Sequence, residues 1–298
     1  MSAPTVSEPY LRIPPWLRVS LPRTPAYSGT GRLLADLGLH TVCSHAKCPN
    51  IFECYAKRTA TFLILGSVCT RNCAFCNIAH GPVEPPDPDE PRRVAEAAKR
   101  LGLRYVVVTS VTRDDLSDGG AGHFAETIRM LRDGGPGESQ RPRVEVLIPD
   151  FQGSTEALAT VLEAESDVIN HNVETPPALY RRIRPQADYG QSLELLRRVV
   201  KAGGLAKSGL MVGLGENDEQ VRSVLEDLAG VGCRIATVGQ YMRPSRFHPP
   251  VARYVHPDTF ELYAEWGRAA GIEYVFSAPL VRSSYSAGVV FERMRGES

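Results

Sequence analysis

The chain has no long apolar run. No stretch of its 298 residues approaches the roughly 20 consecutive apolar residues of a membrane-spanning helix. Net charge is also missing. Lys and Arg total 34, as do Asp and Glu, so there is no strongly basic field to recruit nucleic acid. A local basic patch for an acidic partner protein is still allowed. Residues 1–9 are small and polar and lack the apolar core of a secretory signal. A cytoplasmic location is expected, where thiols stay reduced and clustered cysteines are metal ligands rather than disulfides. The cysteines number seven, so no disulfide scheme pairs them all. There is no sequence repeat, and no low-complexity tract beyond a proline-rich start.

The apolar fraction is ordinary, 43%, and one α/β barrel can hold a chain of this length. Pro4, Pro9, Pro14, Pro15, Pro22 and Pro25 mark an extended arm, which Trp16 is expected to anchor. A short helix over 31–39 then delivers the chain to Cys43. From residue 59 the pattern alternates. Short apolar strands are expected at 60–65, 105–108, 144–148, 168–170, 207–212, 235–238 and 274–276. Helices are expected at 92–101, 123–132, 155–165, 192–202, 218–228 and 258–270. Strand–helix alternation implies a parallel sheet built through right-handed crossovers. Six units and a spare strand predict an α/β fold, a partial (β/α)6 TIM-like barrel, at 59–276. A cysteine-rich extension at 1–58 precedes it and a short tail at 277–298 follows. Chemistry in such folds sits at the carboxyl ends of the strands.

Six of the seven cysteines fall in two triplets around the first strand. They are Cys43-x4-Cys48-x5-Cys54 and Cys69-x3-Cys73-x2-Cys76. Structural zinc takes four protein ligands, and a Cys3His site completed by His80 is the alternative for the second triplet. Three thiolates on a cubane iron–sulfur cluster would instead leave one iron open to a substrate or cofactor. The first triplet alone is ambiguous between zinc and a set with one buried apolar cysteine. Cys233, alone before an apolar strand, reads as a core thiol.

The spacing of the second triplet, after the first strand of a partial barrel, resembles the signature of the radical S-adenosylmethionine (SAM) superfamily. The resemblance implies a [4Fe-4S] cluster on Cys69, Cys73 and Cys76. Its open iron would be chelated by the amino and carboxylate groups of SAM, and the reduced cluster would release a 5′-deoxyadenosyl radical. Phe75 matches the aromatic that lies near the adenine in that superfamily. More of the chain resembles one family within it, the lipoyl synthases. The matching stretches are 15–18, 47–54, 59–66, 111–121, 171–175 and Arg282-Ser283-Ser284-Tyr285. In that family the first triplet holds a second, auxiliary [4Fe-4S] cluster, completed by a serine of the last motif. Here that implies Cys43, Cys48, Cys54 and Ser284, with Ser283 the alternative. A serine alkoxide is a harder donor than a thiolate, so its iron could be lost more readily and open the sulfides to attack. The activity implied is insertion of two sulfur atoms, at carbons 6 and 8 of an octanoyl chain on a carrier lysine. The partners implied are octanoylated lipoyl domains of 2-oxoacid dehydrogenase complexes, the glycine-cleavage H-protein and a reducing electron donor.

By the same resemblance Thr109 and Ser110 would meet the SAM amino or carboxylate group, and Asn172 and Glu174 its ribose or methionyl part. The glycine-rich strand end at 209–216, with Gly213, would line the adenine. A capping role for Asn172 and Glu174 and a tight turn at Gly213 are the alternatives. Arg113, Asp114 and Asp115 read as a solvated loop or a site loop. Arg181, Arg182 and Arg184 read as a solvated face, or a landing site for an acidic carrier. His45, His80, His171 and His248 have no pattern that makes any one a base. The chain departs from the family at 66–68, at Phe52 and at 43–46, and no departure removes a ligand. A paralogue with altered carrier preference stays open. So do two rivals, a biotin-synthase-like sulfur inserter and a non-catalytic iron–sulfur or zinc module. The upstream triplet and the serine-bearing tail speak against the first. A carrier module would need fully ligated clusters and far less chain.

Overall fold

The computed structural model describes residues 11–19, 26–133, 141–285, 287, 288 and 291. Pro4, Pro9, Pro22, Pro25 and the polar start lie outside them. Ahead of the barrel come α1 (Ala26–Asp36), β1 (His40–Thr41), α2 (Val42–His45) and α3 (Ile51–Ala56). Strand β2 (Thr61–Ile64) leads through a short pair, β3 (Val68–Cys69) and β4 (Ala79–His80), to α4 (Glu90–Leu101). Next are β5 (Tyr105–Ser110), α5 (Ala121–Asp133), β6 (Arg143–Leu147), α6 (Thr155–Glu163) and β7 (Val168–Asn170). The chain continues through α7 (Tyr180–Ile183), α8 (Tyr189–Lys201), β8 (Ala206–Val212) and α9 (Asp218–Gly230). It ends with β9 (Ile235–Gln240), α10 (Pro257–Ala270) and β10 (Tyr274–Ser277).

Eight strands form one sheet in the order β1-β2-β5-β6-β7-β8-β9-β10. From β2 to β10 every pairing is parallel. The expected partial barrel of six strand–helix units and a spare strand is what the chain builds. β1 was not expected. It runs antiparallel on β2, with His40 opposite Leu63 and Thr41 opposite Phe62, so the cysteine-rich extension is stitched to the barrel edge.

Local sequence explains these elements. β2 is buried along its whole length, and so is β9. Such strands are continuous apolar runs rather than alternating ones, because both faces are covered. α4 turns Val94, Ala97, Ala98 and Leu101 inward, and Gly102 ends it at φ 68°, a left-handed conformation that costs glycine little. α9 opens with a capping box between Asn217 and Gln220.

Two expectations need correction. The first helix runs Ala26–Asp36 rather than 31–39. Gly38, at φ 62°, turns the chain so that Leu39 N donates to Leu34 O at 2.9 Å, which closes the helix early. In the arm, Trp16 does not anchor alone: Leu17 is 2% exposed, whereas Trp16 keeps 37% of its surface and meets the His256 ring edge-on. The short β1, α2, α3 and α7 were unforeseen because they are too brief to show a period.

The barrel interior holds a buried ion pair. Lys207 Nζ donates to both Glu145 oxygens, at 2.8 and 3.0 Å. Tyr105 Oη and Asn170 Nδ2 also donate to Glu145, at 2.8 and 3.3 Å. Phe291 packs on the Tyr105 ring at 5.6 Å, so the tail covers this part of the interior. Removing one partner strands the other charge away from water. Lys207→Met should lower unfolding free energy by about 3 kcal/mol. The double variant Glu145→Gln/Lys207→Met should recover part of that loss, measured by urea unfolding.

Candidate functional site

The second triplet rides on the loop from β3 to β4. Arg71, inside it, fixes that loop. Its guanidinium makes two bidentate pairs, with Asp114 at 2.6 and 2.9 Å and with Asp150 at 2.7 Å twice. Asp114 follows β5 and Asp150 follows β6, so the clamp holds the loop to two strand ends. Burial opposes charge on Asp150, but Arg71 outweighs it and keeps that carboxyl below its usual range. Asn72 N donates to Gln186 Oε1 at 2.7 Å, and Ala74 N to Ile183 O at 2.8 Å. His248 Nε2 donates to Cys76 O at 3.0 Å. Cys69 Sγ accepts from the backbone N–H of Arg71 at 3.4 Å and of Thr112 at 3.3 Å. Such N–H donors stabilise a thiolate.

The first triplet is built on two short helices. Thr41 caps α2 through Ser44 N, and its hydroxyl bonds Tyr55 Oη on α3 at 2.8 Å. Cys43 lies on α2 and is buried; Cys54 lies on α3. Asn77 Nδ2 donates to His45 O at 2.6 Å, joining the two cysteine loops. The tail reaches the same place. Asn50 Nδ2 donates to Leu280 O at 2.8 Å, and Tyr285 Oη to Glu53 at 3.1 Å. Gln240 N donates to Pro279 O at 3.2 Å. A Cβ on Gly239 would sit 2.1 Å from Val281 O, so only glycine lets the tail pass there.

Both triplets face one cavity of about 340 Å³ at the carboxyl ends of the strands. Cys43, Cys48, Cys69, Cys73 and Cys76 line it, together with Ser283 and Ser284. Cys54 does not line it, but Cys43 and Cys48 act on its thiol. Burial pushes Cys43 up to about 11 and Cys54 and Cys76 up to about 12. These thiols need a metal to ionise at neutral pH. Among the described residues no three His, Cys, Asp or Glu side chains close on a single ion. His80 is exposed and does not line the cavity.

The other candidates divide. Phe75, Thr109, Ser110, Asn172 and Glu174 all line the cavity. Thr109 Oγ1 already donates to Leu147 O at 3.0 Å. Ser110 Oγ and Asn172 Oδ1 are buried and have no hydrogen-bond partner among the described residues. Asn172 Nδ2 donates to Glu174 Oε1 at 3.1 Å. Burial raises the Glu174 carboxyl, and Arg184 offsets only part of that. Gly213 does not line the cavity. It forms the tight turn after β8, at φ 97°, where a Cβ would meet Gln240 and Arg253 O. Gly209, inside β8 and four residues earlier, does line it.

The arginine run is not one face. Arg184 is buried and lines the cavity, donating to Asn172 O at 3.0 Å and Val173 O at 3.2 Å. Arg182 bonds Leu214 O, and Arg181 is exposed. Arg113 is also buried, held to Asp115 at 2.8 and 2.9 Å, while Asp115 itself stays exposed. Cys233 is a buried core thiol. Sequence reasoning missed Arg71, Asp150 and Arg282, which lines the cavity. Arg71 carried a signal in its place between two ligand candidates; Asp150 carried none.

His171 lies in the cavity floor. Its Nδ1 donates to Ile148 O at 2.9 Å, and Nε2 is 3.0 Å from Ser192 Oγ. Burial, then the charge of Arg184, pushes it down to about 4. An unfolded histidine protonates near pH 6.5. The folded-state contribution is therefore intact above that pH and is lost as pH falls from about 6.5 towards about 4. His171→Asn should be less stable than the parent at pH 7.5. Its unfolding free energy should fall less than the parent's between pH 7.5 and 5, by about 2 kcal/mol, measured by urea unfolding at both pH values.

The model of the radical SAM superfamily matches residues 63–228. A lipoyl synthase of Nitratidesulfovibrio vulgaris (strain DP4) is 70% identical over 287 residues, covering 96% of this chain and 95% of its own. Another, from Oleidesulfovibrio alaskensis, is 65% identical and covers 97% and 98%. One from Caldanaerobacter subterraneus is 54% identical and covers 96% and 99%. Among solved structures, methylornithine synthase superposes with a TM-score of 0.52 at 13% identity, covering 87% of this chain and 86% of that one. Streptococcus suis SuiB bound to S-adenosylmethionine gives 0.55 at 11% identity, covering 84% and 60%. At these identities the two structures attest the fold alone. The sequence relatives go further: with such identity along nearly its whole length, the chain belongs to the lipoyl synthase family of the radical SAM superfamily.

Proposed function

We propose that this chain makes lipoyl groups inside the cavity at the barrel mouth, with a separate role for each cysteine triplet. One observation carries the assignment: Cys69, Cys73 and Cys76, two cysteines of the first triplet (Cys43 and Cys48) and the serine-bearing tail wall a single cavity. Cys69, Cys73 and Cys76 hold the cluster that meets SAM. Cys43, Cys48 and Cys54 hold the auxiliary cluster, and Ser284 completes it. The hydrogen bond from Tyr285 to Glu53, next to Cys54, supports a ligand from this part of the tail, and the family motif favours Ser284 over Ser283. When bound, the clusters and SAM supply the one-electron chemistry and the sulfide that acid–base side chains cannot.

The chain's own residues bind, orient and shield. Ser110 Oγ and Asn172 Oδ1 are buried polar atoms with unfilled hydrogen bonds, which a polar ligand such as SAM would satisfy. Phe75 offers a flat apolar surface to a base. Leu63, Val111, Leu147, Leu210 and Met211 line the cavity and suit an eight-carbon chain. Their packing keeps out water and stray hydrogen donors. The substrate is an octanoyl group on a carrier protein. We assign the carrier to lipoyl domains of 2-oxoacid dehydrogenase complexes or the H-protein, in the cytoplasm. Among the described residues no helix is long and apolar enough to cross a membrane. The extension at 1–58, barrel at 59–276 and tail at 277–298 are then ligand arm, radical source and closing ligand.

The test is anaerobic reconstitution with iron and sulfide, then reduction with SAM and an octanoyl-lysyl peptide. Deoxyadenosine and doubly thiolated peptide are expected. Cys73→Ala should abolish deoxyadenosine. Ser284→Ala should keep deoxyadenosine formation and lose thiolation by about 100-fold. Full thiolation by Ser284→Ala would remove that serine from the reaction.

A further inference from the structure

Two segments beside the barrel mouth differ from the rest of the surface. One is the arm at 11–19. The other is the connection at 241–256 between β9 and α10. Together they contain five arginines and no carboxylate, in a chain whose opposite charges balance at 34 each. They also carry five of the six large hydrophobic side chains exposed among the described residues: Leu11, Ile13, Trp16, Val19 and Phe247. Phe247 is 84% exposed.

The two segments are in contact. The Trp16 ring meets His256 edge-on at 5.1 Å. His256 in turn caps α10 by accepting from Asp258 N. The connection is held in shape by its own bonds. Arg243 donates to His248 O at 2.8 Å and to Arg246 O at 2.7 Å. Phe247 N donates to Ser245 Oγ at 3.3 Å, and that hydroxyl lies 2.9 Å from His248 Nδ1. Its inner side belongs to the cavity wall, through Met242 and Pro244. The outward turn therefore stands at the mouth, with the Arg246 guanidinium 4.9 Å over the Phe247 ring.

Of the five arginines, Arg253 is spent on Asp218 and Glu216, and Arg243 on carbonyls. Arg12, Arg18 and Arg246 are exposed and have no ion pair among the described residues. Arginine and aromatic groups set among exposed apolar side chains are the composition of a protein-binding surface. Unpaired cations call for an acidic partner face. The function proposed above supplies that partner. An acyl chain buried in the cavity is tethered to a protein too large to follow it, so that protein must rest on the rim.

We propose that the arm at 11–19 and the Arg246–Phe247 turn form one docking face for the acidic surface of the protein domain that carries the octanoyl-lysine. This rests on the lipoyl synthase reading, and the test separates the two. Thiolation is measured with dithionite as reductant on two substrates, an octanoylated lipoyl domain and a free octanoyl-lysyl peptide. The variants are Arg246→Glu/Phe247→Ser and Arg12→Glu/Arg18→Glu. Each should lower kcat/KM on the domain by about tenfold or more and leave peptide turnover within about twofold. Raised salt should slow the parent on the domain and not on the peptide. Equal loss on both substrates, or loss on neither, overturns the docking face. Loss seen only when a protein reductant replaces dithionite gives the face to the electron donor and also overturns it. A parent chain that thiolates neither substrate overturns the functional reading itself.

Discussion

The site depends on the guanidinium of Arg71. It sits between Cys69 and Cys73 and is shared by Asp114 and Asp150, from two different strand ends. Backbone bonds such as Thr70 N to Thr112 O and Ala74 N to Ile183 O tether the loop, and the guanidinium adds charge-assisted contacts to two strand ends. Paired bidentate contacts fix both position and orientation. The arrangement is also demanding. Two carboxylates are brought together beside a buried wall, and the arginine between them compensates most of their charge, with Gln152 N adding a bond to Asp150 at 3.0 Å. The thiols inherit their placement from this clamp, and Cys69 gains two backbone donors because of it.

The opposite wall is closed by chain ends rather than by charge. The extension enters through β1 on the edge of β2, and the tail leaves through β10 on the edge of β9. A partial barrel has two unpaired edges, and here the flanking segments cover the gap. Asn50 reaches Leu280 across 230 residues, and Tyr285 reaches Glu53 across 232. The missing Cβ at Gly239 lets the tail lie against β9. The auxiliary triplet and the serines are thus brought together across the whole barrel, which lies between them in sequence.

Much of the fold was legible in the chain. Strands such as Val168–Asn170 match expectation at both ends, since a short apolar run between turn residues has few other readings. Helix ends were set by local chemistry, as at Gly102 and Asn217. The misses were of two kinds. α2, α3 and α7 are each under seven residues and show no period. Arg113 and Arg184 read as surface charge because sequence gives no burial; each is buried and held by a partner supplied from a distance or by a local turn.

The sequence by itself determined the donor types and their spacing. Three cysteines within eight residues after a buried strand point to an open iron–sulfur site, because ligand spacing is a local property. It also determined the alternation that makes a parallel sheet, since hydrophobic period is local too. Only the tertiary structure decided that cysteines of both triplets share one cavity, that Gly209 rather than Gly213 lines it, and that Asp150 holds the radical loop. Those facts depend on which strand ends become neighbours, and contacts between residues tens to hundreds apart leave no periodic trace in the chain. The triplet at 69–76 was therefore readable as a ligand set, while its role as half of a two-sided chamber was a product of folding.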